Sequence, residues 1–247
     1  MSSDSPVISH FTDRAERYNR SSNWVVDSTL GATVVSLVNP DSSAHLLDVA
    51  CGTGQVSRAF VGKVGRITGL DITPAMFAQA DEMLDEMVVS SAEEMPFEDN
   101  SFDLVVERQG IQFMNDAAAT REMVRVCKPG GRICLVQLCA VNEADRAEYH
   151  EILRLRNPAR KNFYMREDLV ALLEQAGCSK VDLHTYTSIE DVDAWSDNGA
   201  IAESNREGIR EIYRNATDAF REHHAVATED GNRFVDHMLF ALVIGTK

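Results

Sequence analysis

The segment LLDVACGTG at residues 46–54 constrains the fold more than any other part of the chain. A short apolar run leads directly into two glycines, and a helical pattern near residues 55–63 follows. Such a run predicts a buried strand, and glycine lets a turn adopt positive φ and lets a ligand approach the backbone. In an open parallel sheet, ligands bind beyond the carboxyl ends of the strands. The segment therefore predicts a strand, a turn and a helix that together form a ligand site.

Strands and helices continue to alternate after this segment. We predict strands at 45–50, 66–71, 87–91, 102–107, 132–139, 179–187 and 233–246. We predict helices at 11–39, 55–63, 116–127, 142–156 and 166–176, and one that begins at Thr73-Pro74. Alternation of this kind favours a parallel sheet with helices on both faces. The expected fold is α/β: a Rossmann-like, doubly wound, seven-stranded and mostly parallel sheet whose last strand is antiparallel.

The length of 247 residues suits a single domain, 1–247, with additions to its core. We expect an N-terminal helical lid at 11–39 and a core at 45–139. The remaining helical cap segments, 140–165 and 188–228, are inserted around the last strands.

Charge and composition exclude several classes of partner. Lys and Arg total 24 and Asp and Glu total 39, which gives a formal charge of −15. This balance argues against nucleic acid and against stable membrane association, because both surfaces attract basic proteins. The chain shows neither a secretory signal nor an apolar run of about 20 residues, and its five cysteines form no CxxC pair. We expect a cytoplasmic protein with free thiols and no metal site, either a monomer or a homodimer.

Two acids beside the glycine turn point to a particular cofactor. A dinucleotide-binding turn usually has a third glycine, and Ser57 stands there instead. The carboxylate of Asp48 would repel a pyrophosphate but suits a cationic ligand, and Asp71 at the end of the second strand suits ribose hydroxyls. S-adenosylmethionine combines a nucleoside with a cationic tail. Alternatively, the glycines form only a tight turn and Asp71 caps a helix.

Four segments carry a family resemblance, which covers residues 11–139 well. They are FTDRAERY at 11–18, LLDVACGTG at 46–54, SAEEMPF at 91–97 with SFD at 101–103, and RVCKPGG at 125–131. Together they resemble the class I S-adenosylmethionine-dependent methyltransferases, in particular the ubiquinone/menaquinone biosynthesis methyltransferase group.

The resemblance implies a cofactor role for each matching position, with S-adenosylhomocysteine as the product. Tyr18 would close over the cofactor. The residues that would line its methionine portion are Asp48, Ala50, Gly52 and Gly54. Those that would bind the ribose and adenine are Asp71, Ile72, Met76, Ser91, Ala92 and Glu93. Glu107 and Arg108 would meet the methionine end and the substrate.

The chain departs from the family at two places. Ser91 stands where the family usually has Asp, so an uncharged hydroxyl would have to contact the adenine. The segment GIQF at 110–113 replaces a pattern with two histidines, so no base can be transferred from relatives.

No catalytic residue follows from the sequence. The candidates are Gln112, His150, Tyr164 and Arg108, each of which also has an ordinary structural interpretation. We expect His223-His224 to lie on a solvated helix face and Trp195 to pack within the cap.

These features predict methyl transfer to a small-molecule acceptor by in-line displacement. Three alternatives stay open: aminopropyl cyclisation with the same cofactor, a non-catalytic cofactor-binding regulatory protein, and an NAD-dependent dehydrogenase. A DNA target is disfavoured, because ERQG at 107–110 does not resemble the DPPY motif of amine methyltransferases that act on nucleic acid.

Overall fold

The computed structural model describes residues 5–78, 80, 83–228 and 230–247. The strands are β1 His45–Val49, β2 Arg66–Asp71, β3 Glu86–Val89, β4 Phe102–Arg108, β5 Cys127–Leu138, β6 Ser179–Asp191, β7 Ala227–Thr228 and β8 Phe234–Thr246. The α-helices are α1 Pro6–Arg14, α2 Asn23–Val26, α3 Ser28–Val38, α4 Gln55–Phe60, α5 Pro74–Phe77, α6 Asp116–Val126, α7 Arg146–Arg156, α8 Arg166–Ala176, α9 Val192–Ser196, α10 Glu203–Asn215 and α11 Asp218–His223. Single 3₁₀ turns occur at Tyr18–Arg20 and Ile111–Phe113.

One sheet runs through the described residues in the order β3-β2-β1-β4-β5-β8-β6. The first five strands pair in parallel, and β8 is antiparallel to both of its neighbours, β5 and β6. The two-residue strand β7 also pairs with β8. This arrangement confirms the predicted α/β fold. The strand order reverses between β1 and β4, and ligands of such sheets bind at the crevice outside this point.

Both faces of the sheet are buried. Leu46 of β1 and Val106 of β4 belong to one hydrophobic cluster, while Leu47 and Val105 belong to the cluster on the other face. Alternate residues of a strand point to opposite faces, so central strands covered on both sides read as continuous apolar runs. The burial of β1 on both faces explains why its sequence is a continuous apolar run.

The N-terminal helical prediction is wrong in its continuity. Residues 11–39 are divided among α1, a 3₁₀ turn, α2 and α3. The chain is extended at Ser22, with φ −167° and ψ 146°. Asp27 then caps α3, accepting hydrogen bonds from the backbone N–H groups of Thr29 and Leu30. An N-cap side chain satisfies backbone N–H groups that have no partner inside the helix, so a new helix begins after Asp27.

Helices α9, α10 and α11 follow β6, and α10 packs against α7. Trp195 of α9 is buried there, with the guanidinium carbon of Arg156 4.5 Å from its ring centre. The prediction for His224 is wrong: its side chain is fully buried between Asp145 and Asp236. Among the described residues, no helix has the length and apolar character needed to cross a bilayer.

Candidate functional site

The turn after β1 is built on backbone conformations with positive φ. Ala50, Gly52 and Gly54 have φ values of 53°, 55° and 70°. A Cβ on Gly52 would lie 3.2 Å from the Met76 methyl group, and one on Gly54 would lie 3.1 Å from Ala80. Glycine is therefore required both for the conformation and for the close packing of the turn against the segment after β2.

Asp48 lies beneath this turn and has one unused oxygen. Its side chain is 1 % exposed, and its Oδ2 accepts from the backbone N–H of Ser57 at 3.1 Å and from the Ser57 hydroxyl at 2.5 Å. Oδ1 is buried and accepts no hydrogen bond within the described protein. Burial raises the pKa of Asp48 to about 6. A buried acceptor without a donor is costly, and a cationic ligand nearby would offset that cost.

Asp71 joins the ends of β1 and β2. Its Oδ2 accepts from the backbone N–H of Gly52 at 2.9 Å, and its Oδ1 accepts from that of Thr73 at 2.8 Å. Burial raises the pKa of this carboxyl. Each carboxylate oxygen can accept a second hydrogen bond, so Asp71 can both hold the turn and bind a hydroxyl.

A cleft of about 830 Å³, including its open mouth, lies over these strand ends. The predicted cofactor residues that line it are Tyr18, Ala50, Gly52, Asp71, Ile72, Met76, Ser91, Ala92 and Glu93. Its other walls include Phe11, Gln109, Gly110 and Phe113. Apolar walls with a few converging polar groups are typical of small-molecule and cofactor pockets. The structure therefore brings most of the predicted cofactor residues to one place.

Glu107 lies behind the cleft wall and holds the loop after β4. Its Oε1 accepts from the backbone N–H groups of Gly110 and of Ile111, the latter at 2.9 Å. Its Oε2 accepts from the Gln137 amide, and burial raises the Glu107 pKa to about 7. These contacts fix Gly110 against Ala50, where a Cβ on Gly110 would overlap the Ala50 methyl group. Glu107 thus shapes the cleft without lining it.

Arg108 lies on the lid side of the sheet. Its guanidinium donates to the carbonyls of Trp24, at 3.3 Å, and Val25, at 3.0 Å. Its guanidinium carbon is 5.5 Å from the Trp24 ring centre. These contacts tie α2 to the end of β4, the position from which the lid approaches the cleft.

The other catalytic candidates separate into two places. Gln112 lines a recess beside the cleft, and its Nε2 donates to the Gln109 carbonyl at 2.9 Å. His150 and Tyr164 line a separate groove; the His150 ring stacks on Phe163, and the Tyr164 hydroxyl donates to Asp116 at 3.1 Å.

The recess beside Gln112 contains residues that the sequence reasoning missed. Arg14, Arg156 and Arg160 line it, and they come from three separate places in the chain. The paired arginines in RNPAR at 156–160 were the only local signal. No spacing rule links them to Arg14, because the fold brings them together.

Comparisons with known proteins decide the family. A family model described as "Methyltransferase domain" matches residues 47–135. A demethylmenaquinone methyltransferase of Bacillus licheniformis is 30 % identical over 182 residues, which cover 62 % of this chain and 78 % of the relative. The ubiquinone/menaquinone biosynthesis C-methyltransferase UbiE of Chromobacterium violaceum is 32 % identical over 177 residues, covering 58 % of this chain and 70 % of the relative.

The chain belongs to the class I S-adenosylmethionine-dependent methyltransferases. It is a methyltransferase, and S-adenosylmethionine is its cofactor. A solved structure agrees in fold: a protein from Bacillus halodurans C-125 described as a methyltransferase superposes with a TM-score of 0.82 at 23 % identity, covering 89 % of this chain and 99 % of that one.

The residues of this methyltransferase fit its cofactor. Asp71 faces the cleft with unused lone pairs, whereas Asp48, whose Oδ1 has no donor, is buried behind the turn and can act on a cationic group only through its charge. Met76 and Ala92 provide apolar walls beyond β2, on the side of β3. An acid beside apolar walls at the β2 side of the cleft is compatible with a nucleoside, the larger part of this cofactor.

Proposed function

We propose that this methyltransferase transfers a methyl group to a small-molecule acceptor by in-line displacement. When bound, S-adenosylmethionine supplies a methyl group activated by its sulfonium. The observation that carries the proposal is the recess beside the cleft. Cleft and recess share Phe11, Tyr18, Gln109 and Phe113. An acceptor that reaches into the recess would pass these four shared residues on its way from the cleft.

The protein's part in this reaction is alignment and exclusion of water. Phe11 packs edge-on against Phe113, with ring centres 5.2 Å apart, so the lid contacts the loop after β4. This contact narrows the opening between cleft and recess. Glu107 holds that loop by accepting hydrogen bonds from the backbone N–H groups of Gly110 and Ile111, and the Gln137 amide of β5 donates to its other oxygen. Methyl transfer needs aligned reactants, and a fixed loop and a closed lid supply that alignment.

Two further observations support a small acceptor. The curated relatives named above are demethylmenaquinone and ubiquinone/menaquinone biosynthesis methyltransferases. The formal charge of −15 disfavours a nucleic-acid acceptor. The recess is much smaller than the cleft, about 320 Å³ against about 830 Å³ when open solvent is included in both, so it admits one terminal group of an acceptor and not a whole molecule.

Calorimetry and product analysis test this proposal. S-adenosylmethionine and S-adenosylhomocysteine should both bind, and Asp71→Asn should weaken both by about 1–3 kcal/mol because a hydroxyl loses its charged acceptor. The exposed Asp182 of β6 gives a matched control, Asp182→Asn, which should bind normally. Failure of both ligands to bind would refute the cofactor site.

Isotope-labelled methyl donor and a metabolite extract then identify the reaction. Methyl transfer yields S-adenosylhomocysteine together with a labelled small molecule. Methylthioadenosine would instead indicate aminopropyl chemistry. Label found only in protein or nucleic acid would contradict a small acceptor.

A further inference from the structure

The acceptor recess carries positive charge without opposing carboxylates. Arg14 is 2 % exposed and Arg156 is 7 % exposed, and both line the recess together with Arg160. No described Asp or Glu lines it, and none lies within salt-bridge distance of these three side chains. Buried charges are normally paired, and this chain has an excess of acids. These unpaired buried arginines depart from that rule, and a negatively charged ligand would pair with them.

Several polar atoms around the recess are buried without a partner. They include the Nε atoms of Arg14 and Arg160 and the Nδ2 atom of Asn157. Asn157 is only 2 % exposed. Arg14 otherwise donates to the Ser21 hydroxyl at 3.3 Å, and Arg160 donates to the Asn162 carbonyl at 3.3 Å. Unsatisfied buried donors are rare in native proteins, and a bound water, ion or ligand group is the usual partner. These donors suit an oxyanion, whereas the unpartnered Gln112 Oε1, which also lines the recess, suits a donor group.

Arg156 serves a different purpose from the other two arginines. Its guanidinium donates to the Trp195 carbonyl at 2.9 Å and to the Ser22 hydroxyl at 2.9 Å. These hydrogen bonds join the cap to the lid. Arg156 therefore adds positive charge to the recess, but its hydrogen-bond donors are engaged within the protein. Arg14 and Arg160 are the side chains with donors to spare.

Four of the remaining side chains that line the recess are aromatic, and Leu153, Gln109 and Gln112 complete its walls. The aromatic side chains are those of Phe11, Tyr18, Trp24 and Phe113. The guanidinium carbon of Arg14 is 5.1 Å from the Tyr18 ring centre, and that of Arg160 is 5.6 Å from the Phe113 ring centre. Stacking on aromatic rings orients a guanidinium while leaving its edge donors available. The recess thus combines apolar faces with oriented cationic groups.

The neighbouring His10 reports the same positive field. Its pKa is lowered to about 3 by burial and by the charges of Arg14 and Arg156. A further positive charge beside these arginines is disfavoured, whereas a negative charge would be stabilised.

We propose that the methyl acceptor carries an oxyanion, a carboxylate or a phosphate, on a flat apolar body. The proposal rests on the methyltransferase function proposed above. Arg14 and Arg160, with Asn157, bind the oxyanion in the recess, and the body of the acceptor lies in the adjoining cleft, against the aromatic side chains that the two share. Guanidinium groups match the geometry of both carboxylate and phosphate. A neutral acceptor would leave these buried donors unsatisfied.

Ligand-detected NMR and calorimetry on protein saturated with S-adenosylhomocysteine test this inference. The probes are benzoate, phenyl phosphate and the neutral analogue benzamide. Benzoate or phenyl phosphate should bind at least about tenfold more tightly than benzamide, as one charge-assisted hydrogen bond predicts. Tighter binding of benzoate assigns a carboxylate, and tighter binding of phenyl phosphate assigns a phosphate. Equal binding of all three probes, or no binding, would overturn the proposal.

Variants locate the binding. Arg160→Gln should weaken the anionic probe about tenfold or more and leave S-adenosylhomocysteine affinity and thermal stability unchanged; Arg160→Lys should retain part of the binding. Arg154→Gln on α7 is the matched control, because Arg154 is exposed and its replacement makes the same charge change. Arg14→Gln gives a second test should Arg160→Gln fold poorly. Anion affinity unchanged in both Arg14→Gln and Arg160→Gln would overturn the inference while leaving the cofactor site, tested by S-adenosylhomocysteine, intact.

Discussion

At the scale of single residues, Asp48 and Asp71 occupy neighbouring strand ends but differ in what remains free. Asp71 uses both oxygens on backbone donors and faces the cleft. Asp48 accepts both of its hydrogen bonds on one oxygen, and its other oxygen is buried and unpartnered. The buried negative charge of Asp48 therefore destabilises the ligand-free protein, and a nearby positive charge would offset this destabilisation. Functional carboxylates often have pKa values perturbed in this way.

Asp48→Asn should stabilise the ligand-free protein above about pH 6 and weaken its binding of S-adenosylmethionine. Burial raises the Asp48 pKa to about 6 from 3.8, so the folded state holds the proton more tightly than the unfolded state does. The wild type therefore loses stability as pH rises from about 4 to 6, by about 2–3 kcal/mol, and the variant does not. Urea unfolding of both proteins at pH 4 and pH 7.5 measures the difference. Parallel pH profiles would contradict this account of Asp48.

At the scale of elements, the cleft depends on how the loop after β4 meets the turn after β1. Register pairs β1 directly with β4, so these two loops emerge side by side. Glu107 bonds the backbone of its own loop, and Gln109 adopts φ 58°. A non-glycine residue in that region is strained, and such strain is common beside ligand sites. The turn after β1 and the loop after β4 thus form a rigid wall of the cleft at Ala50 and Gly110.

Gly110→Ala tests this contact between loops. The added Cβ would overlap the Ala50 methyl group, so one loop must move and the cleft floor must change. We expect a stability loss of about 1–3 kcal/mol, as for overpacking elsewhere, together with weaker S-adenosylhomocysteine binding. Denaturant unfolding and calorimetry measure the two effects. Gly208→Ala in α10 is the control: its Cβ would meet only a flexible Leu155 methyl group at 3.3 Å, and cofactor affinity should be unchanged.

At the scale of the whole molecule, a buried ionic network joins the cap to the sheet. His224 lies between Asp236 of β8, with Nδ1 3.0 Å from Oδ1, and Asp145 before α7, with Nε2 3.0 Å from Oδ2. The Tyr213 hydroxyl of α10 donates to Asp236 at 2.5 Å. Residues distant in sequence thus meet around one imidazole, which connects α10 and the start of α7 to β8.

His224→Gln should destabilise the fold, and the loss should depend on pH. The two carboxylates raise the His224 pKa against the opposing effect of burial. Stabilisation by the charged ring is therefore complete below the unfolded pKa near 6.5 and is lost as pH rises through the folded pKa. We expect a loss of about 3–5 kcal/mol at pH 6, the usual cost of breaking a buried pair, and a smaller loss at alkaline pH.

Chemical denaturation at pH 6 and pH 9 measures this loss. His184→Gln on β6 is the control, since His184 is exposed and should have little effect at either pH. A loss for His224→Gln that is equal at both pH values would show that the ring contributes by packing alone.

The sequence by itself determined the sheet and the position of the cofactor turn. Apolar runs such as that of β1 and the glycines at 52 and 54 act locally, because strand burial and positive φ depend on residues adjacent in the chain. Only the tertiary structure decided which charged side chains meet. The burial of His224 and the gathering of Arg14 with Arg160 join segments that no local pattern relates. Long-range packing sets these contacts, and with them the recess in which we place the acceptor.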